Sequence, residues 1–291
     1  DPLDGFLTPL DPGLFELDAR AKFEQAWGVP LSDVPGLYLT EMFDAAAHGQ
    51  VKAMYIMGEN PVLADADSRH VEEGLKALDF LVVQDIFLSE TARLADVVLP
   101  AATFAEKDGS FTNTERRVQR VRKAIDPPGE ALPDWRIVCD VAGRILAKQG
   151  LAADQFAYES AAQIMAEVAS LTPSYAGISH ERLESRSLQW PCPTPDHDGT
   201  PILHVGRFTR GLGKFTAVSL IPPAEMPDEE YPLMLTTGRH LFHFHTGTMT
   251  RRVEGLNAIM PDERVEMHPA DAARLRLESG DDIVLTTRRG E

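Results

Sequence analysis

The sequence predicts an α/β protein in which a parallel-sheet domain precedes a β-barrel-like C-terminal domain that is truncated. Three observations lead to this fold class. Short apolar runs alternate with helix-like segments between residues 51 and 100, and strand-like segments with one small helix occupy residues 231–287. The 291 residues, 43% of them hydrophobic, suffice for about two packed cores. We therefore expect an irregular connecting segment at 1–50, an α/β domain at 51–150, a connecting region at 151–222 and the barrel part at 223–291.

The first predicted strand covers residues 51–57 and ends at a Gly58–Pro61 turn. Before it, residues 1–36 are rich in Pro, Gly and Asp and favour irregular structure, and a short helix is expected from Thr40 to His48. After it, Ser68 is the predicted N-cap of a helix that ends near Leu78. The segment therefore starts a strand–helix–strand series.

Two further short apolar runs, at 80–83 and 96–100, predict strands buried on both faces, with a brief helix at 90–93 between them. Ligands of parallel sheets bind beyond the carboxyl ends of the strands. The candidate binding loops are therefore 58–61, 84–87 and 100–109. Asp134 is then predicted to cap a helix that runs to about Gln149, and another helix is expected near 160–170.

The C-terminal region predicts strands at 232–237, 264–267 and 282–287, with a short helix at 269–275. The sequence stops before further strands could complete the predicted barrel. The barrel would therefore have unpaired strand edges. The chain also opens on Asp1-Pro2 without an initiator Met or a signal-peptide pattern. From these features we expect a fragment or a processed chain.

Charge and cysteine content exclude several classes of function. A net charge of −17 disfavours non-specific nucleic-acid binding, which needs Lys and Arg against phosphate. No stretch reaches the roughly 18 apolar residues that suggest a membrane span. Cys139 and Cys192 are too few to hold an iron–sulfur cluster, and Cys139 is expected to be a small buried apolar side chain.

Two strand-end motifs could bind a ligand. In Gly58-Glu59-Asn60-Pro61 the glycine permits a sharp turn and Asn60 offers an amide, although on these four residues alone an ordinary strand-to-helix turn is the favoured explanation. Gln84-Asp85 ends a buried strand, where a carboxylate could accept two hydrogen bonds from the edge of a guanine. A solvated Asp85 or a helix cap is the alternative.

Two further segments concentrate charge and polar groups. Five basic residues between Arg116 and Lys123 could hold an anion, pair with acidic neighbours or form a solvated face. The segment 236–252 combines Gly, hydroxyls, three arginines suited to phosphates, and three histidines, His240, His243 and His245. The histidines permit a zinc site, satisfied or surface positions, or contact with an organic cofactor.

Together these segments resemble the large subunit of molybdopterin-dependent formate dehydrogenases, within the wider dimethyl sulfoxide reductase superfamily. The resemblance runs in order from about Val51 to the end of the chain. Its last segment also resembles periplasmic nitrate reductases, whereas 111–117 favours formate dehydrogenase. It rests on the motifs Ile56–Pro61, Val83–Asp85, Ala95–Ala101, Glu106–Gln119 and His245–Arg252.

The resemblance implies that both domains bind a bis-molybdopterin guanine dinucleotide that carries molybdenum or tungsten. Asp85 would contact a guanine, Asp134 would reach the same nucleotide, and residues 110–123 would pack near an iron–sulfur domain. No residue of the chain is expected to be catalytic or to ligate the metal. The implied cofactor-binding residues are Gly58, Glu59, Asn60, Gln84, Asp85, Asp134, Thr237, Gly238, Arg239, His245, Thr246, Gly247, Thr248, Met249 and Thr250.

The family's metal-ligating residue, its cluster cysteines and its substrate-binding arginine have no counterpart in the chain, so the chain alone is expected to be inactive. Its expected partners are the upstream part of the same enzyme, which would carry the metal ligand and the iron–sulfur cluster, and electron-transfer subunits. We expect a cytoplasmic location, with a periplasmic one as the alternative. The other functions left open are a nitrate reductase or related oxidoreductase, a non-catalytic homologue such as the large subunit of a respiratory NADH–quinone complex, and a zinc hydrolase.

Overall fold

The computed structural model describes residues 16–206, 208, 211–223 and 225–288. Within them, residues 53–100 form the predicted series of strands and helices, and three strands make a parallel sheet in the order β1-β2-β3. These elements are β1 (Ala53–Met57), α3 (Pro61–Ala64), α4 (Ser68–Lys76), β2 (Phe80–Asp85) and β3 (Val97–Pro100), with a 3₁₀ turn at Ala92–Leu94 in place of the predicted helix at 90–93.

Helices precede and follow this series. The predicted helix at 40–48 is confirmed, although the irregular structure expected before it is wrong for the described part, which contains a helix. The helices near 134–149, 160–170 and 269–275 are also confirmed. The elements are α1 (Glu16–Trp27), α2 (Leu39–Ala47), α5 (Asp134–Lys148), α6 (Ala161–Leu171), α7 (His180–Leu183), α8 (Glu254–Ile259) and α9 (Pro269–Leu275).

The basic segment after β3 forms a hairpin that the sequence did not predict. Strand β4 (Gly109–Thr112) pairs antiparallel with β5 (Arg117–Val121), and β5 pairs with β6 (Leu188–Gln189). Arg116 occupies the turn with a φ of 66°. Its guanidinium lies over the Trp190 ring and donates to the carbonyl oxygens of Thr200 and Pro201 at 3.1 Å. The arginines of this segment therefore support the hairpin rather than forming a fully solvated face.

Two helix caps differ from prediction. Asp67, not Ser68, caps α4, because its side chain accepts the backbone N–H of His70 at 3.2 Å. Pro133, not Asp134, occupies the N-cap position of α5, and Asp134 is the first helical residue. The carboxylate of Asp134 is consequently directed to other partners.

The three strands predicted at 232–237, 264–267 and 282–287 are not formed in the described part of the chain. The side chains of Leu235 and Val284 are 57% and 76% exposed. A strand exists only when its backbone groups pair with a neighbouring strand, and local apolar pattern alone does not provide that neighbour. Residues 232–237 and 264–267 therefore lie outside any helix or strand, and 282–287 does not form the predicted strand.

Residue contacts divide the chain into two units, each with its own apolar cluster. The first unit comprises Asp1–Glu41, Gln84–Phe87 and Val97–Gly213, and the second comprises Met42–Val83, Leu88–Asp96 and Lys214–Glu291. The cluster of the first unit consists of Val118, Ile178, Leu183, Leu188 and Cys192, and that of the second consists of Phe43, Val71, Leu75, Leu81, Val83 and Ala92.

Both cysteines have free thiols; Cys192 is buried, and Cys139 is half-buried rather than buried as expected. None of the described helices has the length and apolar character needed to cross a membrane.

Candidate functional site

The turn after β1 is built around the side chain of Asn60. Gly58 opens the turn with a φ of 66°, and Pro61 begins α3. Asn60 is 3% exposed, and its amide oxygen accepts the backbone N–H and the hydroxyl of Thr91 at 3.1 and 2.8 Å. Its amide nitrogen donates to Glu90 Oε2 at 2.8 Å and to Thr248 Oγ1 at 3.2 Å. The side chain expected to offer an amide to a ligand therefore uses both its donors and its acceptor inside the protein.

The hydrogen bond from Asn60 to Thr248 brings together two of the predicted segments, 58–61 and 245–250. These positions are 188 residues apart in sequence and both belong to the second unit. Gly58, Glu59, Thr246 and Met249 are exposed, and Thr248 is half-buried. The bonded pair thus lies at the base of a group of accessible residues.

Residues 243–263 fold around His243 and Arg251. His243 is 6% exposed, with Nδ1 3.2 Å from Thr250 Oγ1 and Nε2 2.8 Å from the carbonyl oxygen of Met260. Arg251 donates to the carbonyl oxygens of Met260 and Pro261, both at 2.8 Å, and pairs with Glu263. Because these guanidinium contacts are internal, Arg251 stabilises the loop, contrary to the expectation that it suits a phosphate.

The zinc interpretation of the three histidines finds no support in their geometry. Both ring nitrogens of His243 are hydrogen-bonded, and His240 Nε2 lies 3.5 Å from a carboxylate oxygen of Glu263. His245, at a φ of 51°, packs edge-on against the Phe244 ring. Across the residues that the structure describes, no three His, Cys, Asp or Glu side chains are grouped to hold a metal ion.

Gln84 and Asp85 end β2 in the first unit, and both are buried, at 0% and 8% exposure. Gln84 Nε2 donates to Asp134 Oδ1 at 2.8 Å, and the Lys107 ammonium pairs with Asp134 Oδ2. Asp85 Oδ1 accepts the backbone N–H of Ile86 at 2.6 Å. Three predicted positions are therefore gathered at the start of α5 and the end of β2. Thr237, Gly238 and Arg239 are instead exposed and outside any helix or strand.

Sequence reasoning missed Glu90, Thr91 and Lys107. The pKa of Glu90 lies below its usual value, first because the Asn60 amide donates to its carboxylate, and further because Arg252 and Arg93 are near. Thr91 Oγ1 accepts the backbone N–H of Val62 at 3.2 Å and donates to Asn60. Lys107 lies in a motif already noted for the resemblance. The available signal for Glu90 and Thr91 was a polar Ser89–Thr91 run just after apolar residues.

Comparison with known proteins places these segments in context. A family model for molybdopterin oxidoreductase matches residues 20–144, and one for the molydopterin dinucleotide binding domain matches residues 233–291. The chain is 48% identical over 290 residues, 99% of its length, to the F420-dependent formate dehydrogenase subunit alpha of Methanocaldococcus jannaschii. It is 50% identical over 98% of its length to the F420-dependent formate dehydrogenase 2 subunit alpha of Methanococcus maripaludis.

The chain spans 42% of the length of each of these two relatives. Among solved structures, acetylene hydratase from Pelobacter acetylenicus superposes with a TM-score of 0.60 at 20% sequence identity. That superposition covers 90% of this chain and 38% of the hydratase. At this identity the likeness concerns the fold alone, and it supports the α/β assignment.

Proposed function

Because the chain belongs to the molybdopterin oxidoreductase family, we propose that it is the cofactor-binding portion of a molybdenum- or tungsten-dependent formate dehydrogenase. It would hold a bis-molybdopterin guanine dinucleotide, while the metal ligand and the iron–sulfur cluster would lie in the remainder of a longer cytoplasmic enzyme with electron-transfer subunits. Formate is favoured as the substrate because nearly the whole chain is similar to formate dehydrogenase alpha subunits.

The observation that carries the proposal is the hydrogen bond from Asn60 to Thr248. The Gly58–Pro61 and His245–Thr250 segments belong to different sequence regions, one matched by each family model. Two such segments need to meet if one pterin cofactor is to contact both. Their meeting in the second unit supports a shared ligand.

The exposed residues of the predicted binding segments fit a polar, phosphate-bearing ligand. Glycine backbones at Gly58 and Gly238 permit close approach, and the hydroxyls of Thr237 and Thr246 are accessible donors. In our proposal Arg239 supplies a positive charge, and the 245–250 backbone lies against the pterin. Glu59 and Met249 complete the accessible contacts.

The end of β2 fits the guanine. Asp85 is anchored through Oδ1 by the backbone N–H of Ile86, which fixes the direction of its carboxylate. Asp134 is compensated by Lys107, so its charge does not repel a nucleotide phosphate at full strength. We propose that Asp85 accepts from the guanine edge while Gln84 and Asp134 hold the adjoining backbone and ribose.

The metal–pterin group, when bound, supplies the redox chemistry by which formate becomes CO₂ with release of one proton and two electrons. The residues of this chain bind and orient that group. Asn60 and Gln84 are suited to positioning, because each is almost wholly buried and makes hydrogen bonds to other side chains.

The test is the cofactor content of the purified protein with Asp85 replaced. Asp85→Asn keeps Oδ1 as acceptor for Ile86 but turns the other oxygen into a donor that faces the base edge. Retention of the nucleotide should weaken by about 1–3 kcal/mol. The content is measured as GMP released by acid, as fluorescent oxidised pterin and as bound molybdenum or tungsten.

The matched control is Asp79→Asn, an exposed position before β2, which should leave all three quantities unchanged. Equal cofactor content in Asp85→Asn and wild type would contradict the guanine assignment. Wild-type protein that contains neither pterin nor GMP would contradict the proposed function itself.

A further inference from the structure

A ring of polar side chains, Glu90, Asn60 and Arg252, surrounds Thr248 in the second unit. Glu90 accepts from the Asn60 amide, and Asn60 donates to the Thr248 hydroxyl oxygen. Arg252 Nε donates to the Thr248 carbonyl oxygen at 3.0 Å, and the Arg252 charge acts on Glu90. Thr248 is thus held at its side chain by Asn60 and at its backbone by Arg252. Asn60 also donates to the Glu90 carboxylate, and the Arg252 charge helps to lower the pKa of that carboxylate.

The direction of the Asn60 amide is fixed by its neighbours. Thr91 N–H is an obligatory donor, so the atom 3.1 Å from it must be the amide oxygen of Asn60. The amide nitrogen therefore faces Glu90 and Thr248. The two amide hydrogens of Asn60 need two acceptors, and the Glu90 carboxylate and the Thr248 hydroxyl oxygen provide them.

The ring also determines the direction of the Thr248 hydroxyl. Its oxygen accepts from Asn60, so its hydrogen points elsewhere. Within the part of the chain that the structure describes, the hydrogen-bond partner of the Thr248 hydroxyl is the Asn60 amide nitrogen. Thr248 is half-buried, so part of its side chain is accessible to a ligand and its hydroxyl hydrogen can serve as a donor there.

We propose that Glu90, Asn60 and Arg252 are positioning residues that hold Thr248 so that its hydroxyl donates to an acceptor atom of the bound dinucleotide cofactor. The proposal rests on the proposed function and deepens it: Thr248 is the contact, and the other three act through it. Asn60, although its motif suggests a ligand contact, serves the ligand indirectly.

The first test measures the ring without reference to the cofactor, by amide hydrogen exchange of residues 245–252 in the full chain. Asn60→Asp keeps the acceptor for Thr91, removes both donors and places a second carboxylate beside that of Glu90, which should loosen the ring further. Glu90→Gln removes the charge on which Arg252 acts. Loss of one neutral hydrogen bond should speed local exchange roughly fivefold. Thr114→Val, in the exposed hairpin turn, is the control and should leave exchange at 245–252 unchanged.

The second test measures cofactor content in variants of Thr248. Thr248→Val preserves shape and removes the hydroxyl, and Thr248→Ser preserves the hydroxyl. We expect Thr248→Val to retain roughly fivefold less pterin and GMP than wild type and Thr248→Ser to retain wild-type amounts. A purely structural role for the methyl group would give the reverse order.

The outcomes separate the two proposals. Unchanged exchange in both Asn60→Asp and Glu90→Gln would overturn the ring, whether or not the protein binds a cofactor. Equal cofactor content in Thr248→Val and Thr248→Ser would overturn the donor role of Thr248. Wild-type protein without pterin would instead refute the proposed function, and with it the cofactor as the acceptor, while the exchange data would still decide the ring.

Discussion

Replacing Gly247 with alanine should open the 243–263 loop, because two separate costs arise at this position. Gly247 is buried with a φ of 85°, a conformation that costs an L-residue about 1 kcal/mol or more. An added Cβ would also lie 2.4 Å from Arg251 Cγ. Since Cγ is close to the backbone, Arg251 must change rotamer to relieve the contact.

The second cost follows from what Arg251 holds. Its guanidinium donates to the carbonyl oxygens of Met260 and Pro261 and pairs with Glu263. Loss of these two guanidinium hydrogen bonds, which water replaces in part, costs about 1–3 kcal/mol, and the exposed ion pair adds little. Gly247→Ala should therefore lower the free energy of local opening by about 2–4 kcal/mol.

A double-mutant cycle tests this reasoning. In an Arg251→Ala background only the backbone cost remains, so Gly247→Ala should then cost about 1 kcal/mol. The measurement is exchange of the backbone amide at position 251, whose N–H donates to the Gly247 carbonyl at 2.9 Å and is present in both backgrounds. Tryptophan fluorescence would not serve, because Trp27, Trp135 and Trp190 all belong to the first unit. An equal cost in both backgrounds would refute the clash with Arg251.

Two further predictions concern stability. Gly74→Ala gains about 1 kcal/mol of helix propensity, but it places a Cβ 2.7 Å from the Phe43 carbonyl oxygen. The overpacking costs about 1–3 kcal/mol, so the variant should have a lower urea midpoint of unfolding. Gly143→Ala, in α5 with open space at its Cβ, should raise the urea midpoint, and a rise in both variants would contradict the close packing at Gly74. Burial, and then the Glu167 carboxylate, raise the pKa of Tyr158 to about 12. The pKa of an unfolded tyrosine is about 10, so the stability that the neutral Tyr158 hydroxyl contributes is complete below pH 10 and is lost as the pH rises towards 12. Tyr158→Phe should remove this loss of stability in alkaline unfolding titrations. An alkaline unfolding profile that does not change in Tyr158→Phe would contradict the prediction.

The strand and helix series at 53–100 could be predicted because each element has a local signal. Apolar runs as short as 80–83 are typical of buried strands, and the structure extends that run to Asp85. Cap positions were less predictable. Ser68 and Asp67 are both good N-cap residues, and only the observed bond to the His70 N–H distinguishes them.

The prediction of the C-terminal strands was wrong for a different reason. Residues such as Leu235 and Val284 have β propensity, but pairing depends on a neighbour that propensity does not specify. The β4–β5 hairpin was missed for the same reason. Its sequence is highly charged, and its strand pairing is supported by the contact between Arg116 and Trp190. Long-range contacts decide both cases.

The site shows the same division between local motif and distant partner. The sequence motifs identified Asn60 and Thr248, but the sequence could not show that these two residues, 188 positions apart, form a hydrogen bond. Glu90 and Lys107 were missed because each acts on a side chain far along the chain, Asn60 and Asp134 respectively. A motif predicts which residues belong to the site, and the fold determines which of their polar groups remain available to a ligand.

The distribution of charge explains how a chain of net charge −17 can accept an anionic ligand. Three carboxylates near the proposed contacts each have a cationic neighbour: Asp134 has Lys107, Glu263 has Arg251, and Glu90 has Arg252. These basic side chains offset local negative charge, which leaves Arg239, hydroxyls and backbone N–H groups as the donors for phosphate and pterin. Loss of a single cation should therefore weaken ligand binding through the carboxylate that it exposes. Lys107→Met should reduce nucleotide retention, and Lys107→Met with Asp134→Asn should recover part of it, whereas a direct phosphate contact from Lys107 would leave the double variant as weak as the single one.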